Sequence, residues 1–162
     1  MKKTATALIV SLLAILVQPV SDARAQYFNA NQLRKVKAVE VLVVDGVRDG
    51  CLPRPGILKT EAELILRRSG IKVEAGSNPH KIQIIVTGFE LERGETPIGS
   101  CVAKLGVEVW RFESLLDGTI GMVTASTGSS LLDGDKDTFQ NQLRNMVNEK
   151  VTELANEILK AQ

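Results

Sequence analysis

The sequence predicts an α+β fold, a two-layer sandwich in which a mostly antiparallel sheet carries two helices on one face, in the order β-α-β-β-β-α. Three observations predict it. Several segments are rich in β-branched residues and alternate apolar with polar positions, as half-buried strands do. Two other segments repeat apolar residues at three- and four-residue spacing, as amphipathic helices do. The length of 162 residues is that of a single domain.

The amino-terminal residues 1–25 are predicted to be a cleaved signal peptide. Two lysines precede an apolar run from Ala5 to Val17, and Ala23-Arg24-Ala25 has the small-x-small pattern of a cleavage site. The alternative, a membrane-spanning helix, needs about 20 apolar residues. We therefore expect a soluble periplasmic or secreted protein with no membrane span. Since the first cysteine is Cys51, far from the cleavage point, we also expect no lipid anchor.

Residues 26–35 are predicted to be a flexible lead-in, and residues 36–162 a single α+β domain. Without residues 1–25, the chain has 17 basic and 18 acidic side chains. Nucleic-acid binding requires a strongly basic surface, so the near-neutral charge predicts no nucleic-acid partner.

The first strand is predicted from Val36 to Val44, because this segment is β-branched and ends at the turn signal Asp45-Gly46. The first helix is predicted from Glu61 to Ser69. Thr60 has the position of an N-cap, with Glu63 completing a capping box, and Gly70 suits the left-handed residue after a helix.

The remaining elements form a second half dominated by strands. Asp117-Gly118 is a strong hairpin signal, so the strands on either side of it should pair antiparallel. The predicted segments are a short strand or lead-in at Ile71–Val73, strands at Lys81–Leu91, Ser100–Phe112 and Thr119–Thr127, and a helix at Asp137–Lys160.

The two cysteines, Cys51 and Cys101, are predicted to form a structural disulfide, because an exported chain meets an oxidising compartment. A redox-active pair is the first alternative, but such pairs usually have the close spacing CxxC. Two free thiols are the second.

No catalytic constellation, metal site or cofactor site is predicted. His80 is the single histidine and is expected to be an exposed turn residue, whereas a zinc site needs several His or Cys ligands. Asp133, Asp135 and Asp137 resemble part of a calcium loop, but the required Gly and Glu positions are occupied by Thr138 and Arg144. We interpret these aspartates as a turn that caps the last helix.

The loop before the first helix is the candidate partner-binding segment. Prolines on both sides of Arg54 stiffen it, and a disulfide at Cys51 would tether it. A rigid exposed loop loses little entropy on binding. A purely structural linker is the alternative. The candidate contact residues are Arg48, Leu52, Pro53, Arg54 and Pro55.

The element order, with a first helix ended by Ser69-Gly70-Ile71, resembles small periplasmic modules of envelope assembly. These include the amino-terminal domain of TolB, the lipopolysaccharide-assembly lipoprotein and the curli-secretion lipoprotein. The resemblance implies a non-enzymatic module that contacts a protein or another envelope component. The alternatives are a small-molecule or lipid carrier, which requires a cavity between sheet and helices, and a small hydrolase.

Overall fold

The computed structural model describes residues 33–76, 80–114 and 118–162, apart from the side chain of Val123. The predicted signal peptide and most of the predicted lead-in lie outside these residues. The fold is α+β, with two helices and a mixed five-stranded sheet. The elements are β1 (Ala38–Val47), α1 (Gly56–Arg68), β2 (Lys72–Val73), β3 (Lys81–Arg93), β4 (Thr96–Ser114), β5 (Ile120–Asp135) and α2 (Lys136–Ala161).

The strand order across the sheet is β2-β1-β3-β4-β5. β1 runs parallel to β2 and β3, whereas β3, β4 and β5 form an antiparallel meander. The sheet thus has one strand more than the predicted order: β2 lies within Ile71–Val73, the segment predicted as a short strand or lead-in. The parallel pairing of β1 with β3 follows from the crossover through α1.

Alternate side chains of the central strands build the core. Ile82 of β3 pairs with Val109 of β4, and both are buried, as are the residues two positions along each strand. α1 and α2 pack against each other and against the sheet. Their buried residues are Leu58, Ala62, Ile65 and Leu66 of α1, and Phe139, Leu143, Val147, Val151, Leu154, Ala155 and Ile158 of α2. This packing is in line with the predicted two-layer arrangement.

α1 begins earlier than the sequence predicts, and the expected capping box is absent from it. Pro55 is the N-cap residue, with φ −61° and no side-chain cap, and the Thr60 hydroxyl donates to the Gly56 carbonyl inside the helix. Proline is pre-organised for a helix start, which explains the earlier beginning. At the other end Gly70 has φ +81°, and the Ile71 N–H donates to the Leu66 carbonyl at 2.9 Å. This is a Schellman motif, as Gly70 predicts.

β5 is an edge strand and is longer than predicted. It continues beyond Thr127 through a bulge, where it has one residue more than β4. The Thr127 hydroxyl donates to the Val107 carbonyl at 3.1 Å, and the Gly128 N–H donates to the Ser126 hydroxyl at 3.0 Å. Asp135 then caps α2 by accepting from the Asp137 N–H at 2.9 Å, as the aspartate pattern predicts.

In the part of the chain that the structure describes, no helix is both long and apolar enough to cross a membrane.

Candidate functional site

A disulfide between Cys51 and Cys101 attaches the β1–α1 loop, residues 48–55, to β4. The two Cα atoms are 6.0 Å apart, and both side chains are fully buried. The bond predicted from the sequence is therefore present, and it fixes the middle of the loop to the sheet.

Backbone contacts hold the loop at its first residues. The Arg48 N–H donates to the Gly88 carbonyl of β3 at 2.9 Å, and the Cys51 N–H donates to the Arg48 carbonyl at 3.3 Å. Asp49, between them, has φ +59°, a left-handed conformation that Asp tolerates better than most residues. The loop thus leaves β1 in a tight turn instead of projecting away from the sheet.

The structure divides the five predicted contact residues into exposed and buried ones. Arg48, Pro53 and Arg54 are exposed, whereas Pro55 is half-buried at the start of α1. Leu52 is only 6% exposed and belongs to the hydrophobic core. Its predicted place on the contact surface is wrong, because burial of an isobutyl group against the core is favourable and leaves nothing for a partner to touch.

The far end of the loop is held by α2. The Arg54 N–H donates to Gln140 Oε1 at 3.0 Å, while the Arg54 side chain remains exposed. Within the described ranges, neither Arg48 nor Arg54 forms a salt bridge. Two guanidinium groups are therefore presented to solvent by a loop whose backbone is fixed.

An ion pair lies beside this loop. Lys136 Nζ is 2.5 Å from Glu90 Oε2, and Glu90 Oε1 accepts from the Gly99 N–H at 3.1 Å. These contacts hold the pKa of Glu90 below its usual range, the Lys136 hydrogen bond being the main cause. The Lys136 side chain also packs close to Gly50 of the loop: a Cβ added to Gly50 would lie 3.6 Å from Lys136 Cε.

His80 is buried, with 7% of its surface exposed, so the prediction of an exposed turn residue is wrong. Its Nε2 lies 3.4 Å from Arg111 Nη1, and Arg111 also forms a salt bridge with Glu113. Burial, with the positive charges of Arg111 and Lys35, lowers the pKa of His80. The ring is therefore neutral at pH 7.

The cavity next to His80 is small. It has a volume of about 10 Å³, enough for one water molecule at most. It is lined by Val36, His80, Val109, Trp110, Arg111, Thr124 and Ala125. A substrate could not enter it.

The face of the sheet that points away from the helices is not covered by the described part of the chain; we call it the open face. Its exposed apolar side chains include Phe112 (62%), Met122 (61%), Ile120 (76%) and Leu131 (76%). Trp110 is half-buried there: its ring lies edge-on to Phe112 with centroids 5.4 Å apart, and its N–H donates to Gln83 Oε1 at 2.8 Å.

A depression of about 380 Å³ lies near the middle of the open face. Its lining combines hydroxyl groups, glycines and two opposite charges: Ile85, Thr87, Lys104, Gly106, Glu108, Ser126, Gly128 and Ser129. The carrier hypothesis required a cavity between sheet and helices. This depression is on the opposite face, and residues such as Leu66, Ile84 and Phe139 fill the space between the layers with no exposure to solvent.

Among the described residues no group of three or more His, Cys, Asp or Glu side chains is arranged to hold a metal ion. Of the three aspartates considered for calcium, Asp135 is the N-cap of α2.

Comparison with known proteins gives structural similarity only. No protein-family model matches the chain, and no curated protein matches it. The PelC dodecamer from Paraburkholderia phytofirmans is 11% identical, with a TM-score of 0.40, over 75% of this chain and 86% of that chain. A minor lipoprotein from Acinetobacter baumannii is 12% identical, with a TM-score of 0.33, over 77% and 91%. The rare lipoprotein B from Shewanella oneidensis is 13% identical, with a TM-score of 0.32, over 76% and 92%.

Two of these three proteins are named as lipoproteins. This finding contradicts the prediction that the protein has no lipid anchor, which is therefore withdrawn. The prediction rested on the lack of a cysteine near the predicted cleavage point, a segment that lies outside the described residues.

Proposed function

We propose that this protein is a non-enzymatic accessory module of the bacterial envelope that binds a protein partner through the β1–α1 loop, most simply in the periplasm. The observation that carries the proposal is the combination of a fixed backbone with free cationic side chains. Cys51 is bonded to Cys101, while Arg48 and Arg54 are exposed and form no salt bridge within the described residues.

The fixed backbone favours binding because little conformational entropy remains to be lost. The disulfide, the buried Leu52 side chain and the hydrogen bond from the Arg54 N–H to Gln140 each restrict the loop before any partner arrives. A pre-organised contact surface gains affinity mostly by avoiding such ordering costs.

The chemistry of the loop indicates an acidic partner. A guanidinium group presents a planar set of donors that matches a carboxylate in two parallel hydrogen bonds. Pro53 adds a rigid apolar contact between the two arginines in the chain. We therefore expect the partner surface to carry Asp or Glu side chains. The resemblance of the element order to envelope-assembly modules agrees with such a role.

The test is quantitative affinity purification from the native periplasm, followed by mass spectrometry. The double variant Arg48→Ala, Arg54→Ala should recover at least tenfold less of the specific partner than the wild-type protein, with an unchanged Tm. Arg68→Ala is the matched control, because Arg68 is exposed at the end of α1 and forms no salt bridge within the described residues. It should recover the partner normally.

Equal recovery of every partner by the wild-type protein and the double variant would contradict the proposal. Loss of a partner in the Arg68→Ala control as well would contradict it too, because the effect would then be one of net charge and not of the loop.

A further inference from the structure

The open face of the sheet carries two opposite charges in a symmetric arrangement on one strand. Lys104 and Glu108 both point to this face, each two residues from Gly106 along β4. Lys104 is exposed and Glu108 is half-buried, and neither forms a salt bridge within the described ranges. At about 3.4 Å per residue, each lies roughly 7 Å from Gly106 on opposite sides.

We propose that two copies of this chain associate through their open faces, related by a two-fold axis that passes over Gly106. The axis lies between the two sheets and is perpendicular to β4. Rotation by half a turn about it reverses the strand direction, so that Lys104 of one copy lies opposite Glu108 of the other copy. Symmetry repeats the contact, as in every isologous dimer.

The side chains of the open face can also pack against each other when the two copies are related by this axis. Gly106 has no side chain to hold the sheets apart, and Ile85, its neighbour on β3, meets Ile85 of the second copy. Leu131, 76% exposed, pairs with Lys104 across β4 and β5. The rotation places it opposite Ser126, which pairs with Glu108 and lines the depression.

The exposed Leu131 side chain of each copy thus enters the depression of the other copy, which has a volume of about 380 Å³. The same rotation places Trp110 of one copy opposite Val102 of the other, because both lie four residues from Gly106, on opposite sides.

The area of the open face is sufficient for a dimer interface. Four strands about 4.8 Å apart and nine residues long have roughly 570 Å² of planar face. That is of the same order as the roughly 800 Å² that each partner buries in a standard interface.

The test uses charge reversal in pairs. We expect the wild-type protein to sediment as a dimer at micromolar concentration, and Lys104→Glu and Glu108→Lys each to weaken the dimer at least tenfold. In a dimer of either variant alone, the side chains at positions 104 and 108 carry the same charge and lie opposite each other at both contacts. An equimolar mixture of the two brings opposite charges together at both contacts and should restore a dimer that contains one copy of each.

Arg68→Glu and Glu149→Lys are the matched controls, because both residues are exposed on the helices. Neither should change the association, nor should their mixture. Circular dichroism and Tm establish that every variant is folded. Arg48→Ala, Arg54→Ala should dimerise normally, so failure of the loop proposal is distinguishable from failure of this one.

Three results would overturn the proposal. The first is a wild-type protein that stays monomeric at 100-fold higher concentration. The second is a dimer indifferent to both reversals, which would place the interface elsewhere. The third is a mixture of the two variants that stays monomeric, which would indicate that Lys104 and Glu108 face a different protein.

Discussion

Loss of the disulfide should cost this domain a large part of its stability. Cys51 and Cys101 are 50 residues apart in sequence. Opening a loop of that length raises the conformational entropy of the unfolded chain and lowers its free energy by about 4 kcal/mol in the chain-entropy account. We therefore expect reduction to lower the free energy of unfolding in urea by about 4 kcal/mol, and the variant Cys51→Ala, Cys101→Ala to lose more. For a domain of this size the Tm falls by on the order of 15 °C.

The assay is equilibrium urea unfolding of three forms: the oxidised protein, the reduced protein and the double alanine variant. The reduced protein keeps both sulfur atoms in the core, so its difference from the oxidised form isolates the effect of the covalent bond. The alanine variant adds the loss of two buried side chains. A difference below 1 kcal/mol between oxidised and reduced forms would refute the reasoning, because the unfolded chain would then not be freed by reduction.

Two further predictions concern single residues. A Cβ at Gly88 would lie 2.4 Å from the Val102 carbonyl oxygen, so Gly88→Ala should lower the free energy of unfolding by more than 2 kcal/mol, whereas Gly56→Ala, with no atom within 4 Å, should not. The pKa of His80 is lowered in the folded state, so the unfolded chain binds the proton more tightly. Stability should fall as the pH drops below about 6.5, and His80→Gln should remove this dependence between pH 5 and 7.

Specific results would contradict the predictions for Gly88 and His80. Unchanged urea unfolding of Gly88→Ala would show that β3 and β4 can move apart at no cost. A wild-type stability profile that is flat from pH 7 to pH 5, or one that His80→Gln leaves unchanged, would show that His80 is not the titrating group. Glu40 and Glu90 titrate below this window, because salt bridges with lysines lower the pKa of both.

The sequence predicts an element when its signal is local and regular. The alternation from Cys101 to Val109 gave β4 and its buried face, and the apolar spacing after Asp137 gave α2, because each pattern repeats over several turns or residue pairs. The second half of β5 was missed, since Gly128, Ser129 and Ser130 have the composition of a loop and are held in the strand by pairing with β4.

The candidate site was predicted less completely than the fold, because burial of single residues depends on distant partners. Leu52 stands between two charged and proline-rich stretches, and only docking onto the core buries it. His80 is buried beside Arg111, 31 residues away in sequence. Arg48 and Arg54 are exposed, as a contact surface requires, and their contact with a partner stays a prediction.

The topology of the sheet has a consequence for the order of folding. The meander of β3, β4 and β5 consists of hairpins between neighbours in sequence, whereas β1 must cross over α1 to reach β3. Local contacts form faster than distant ones. We therefore expect the two thiols to meet only after β1 and its loop have docked onto the hairpins, so that the disulfide forms late in folding. In that order of events the disulfide stabilises the assembled sheet and does not guide its assembly.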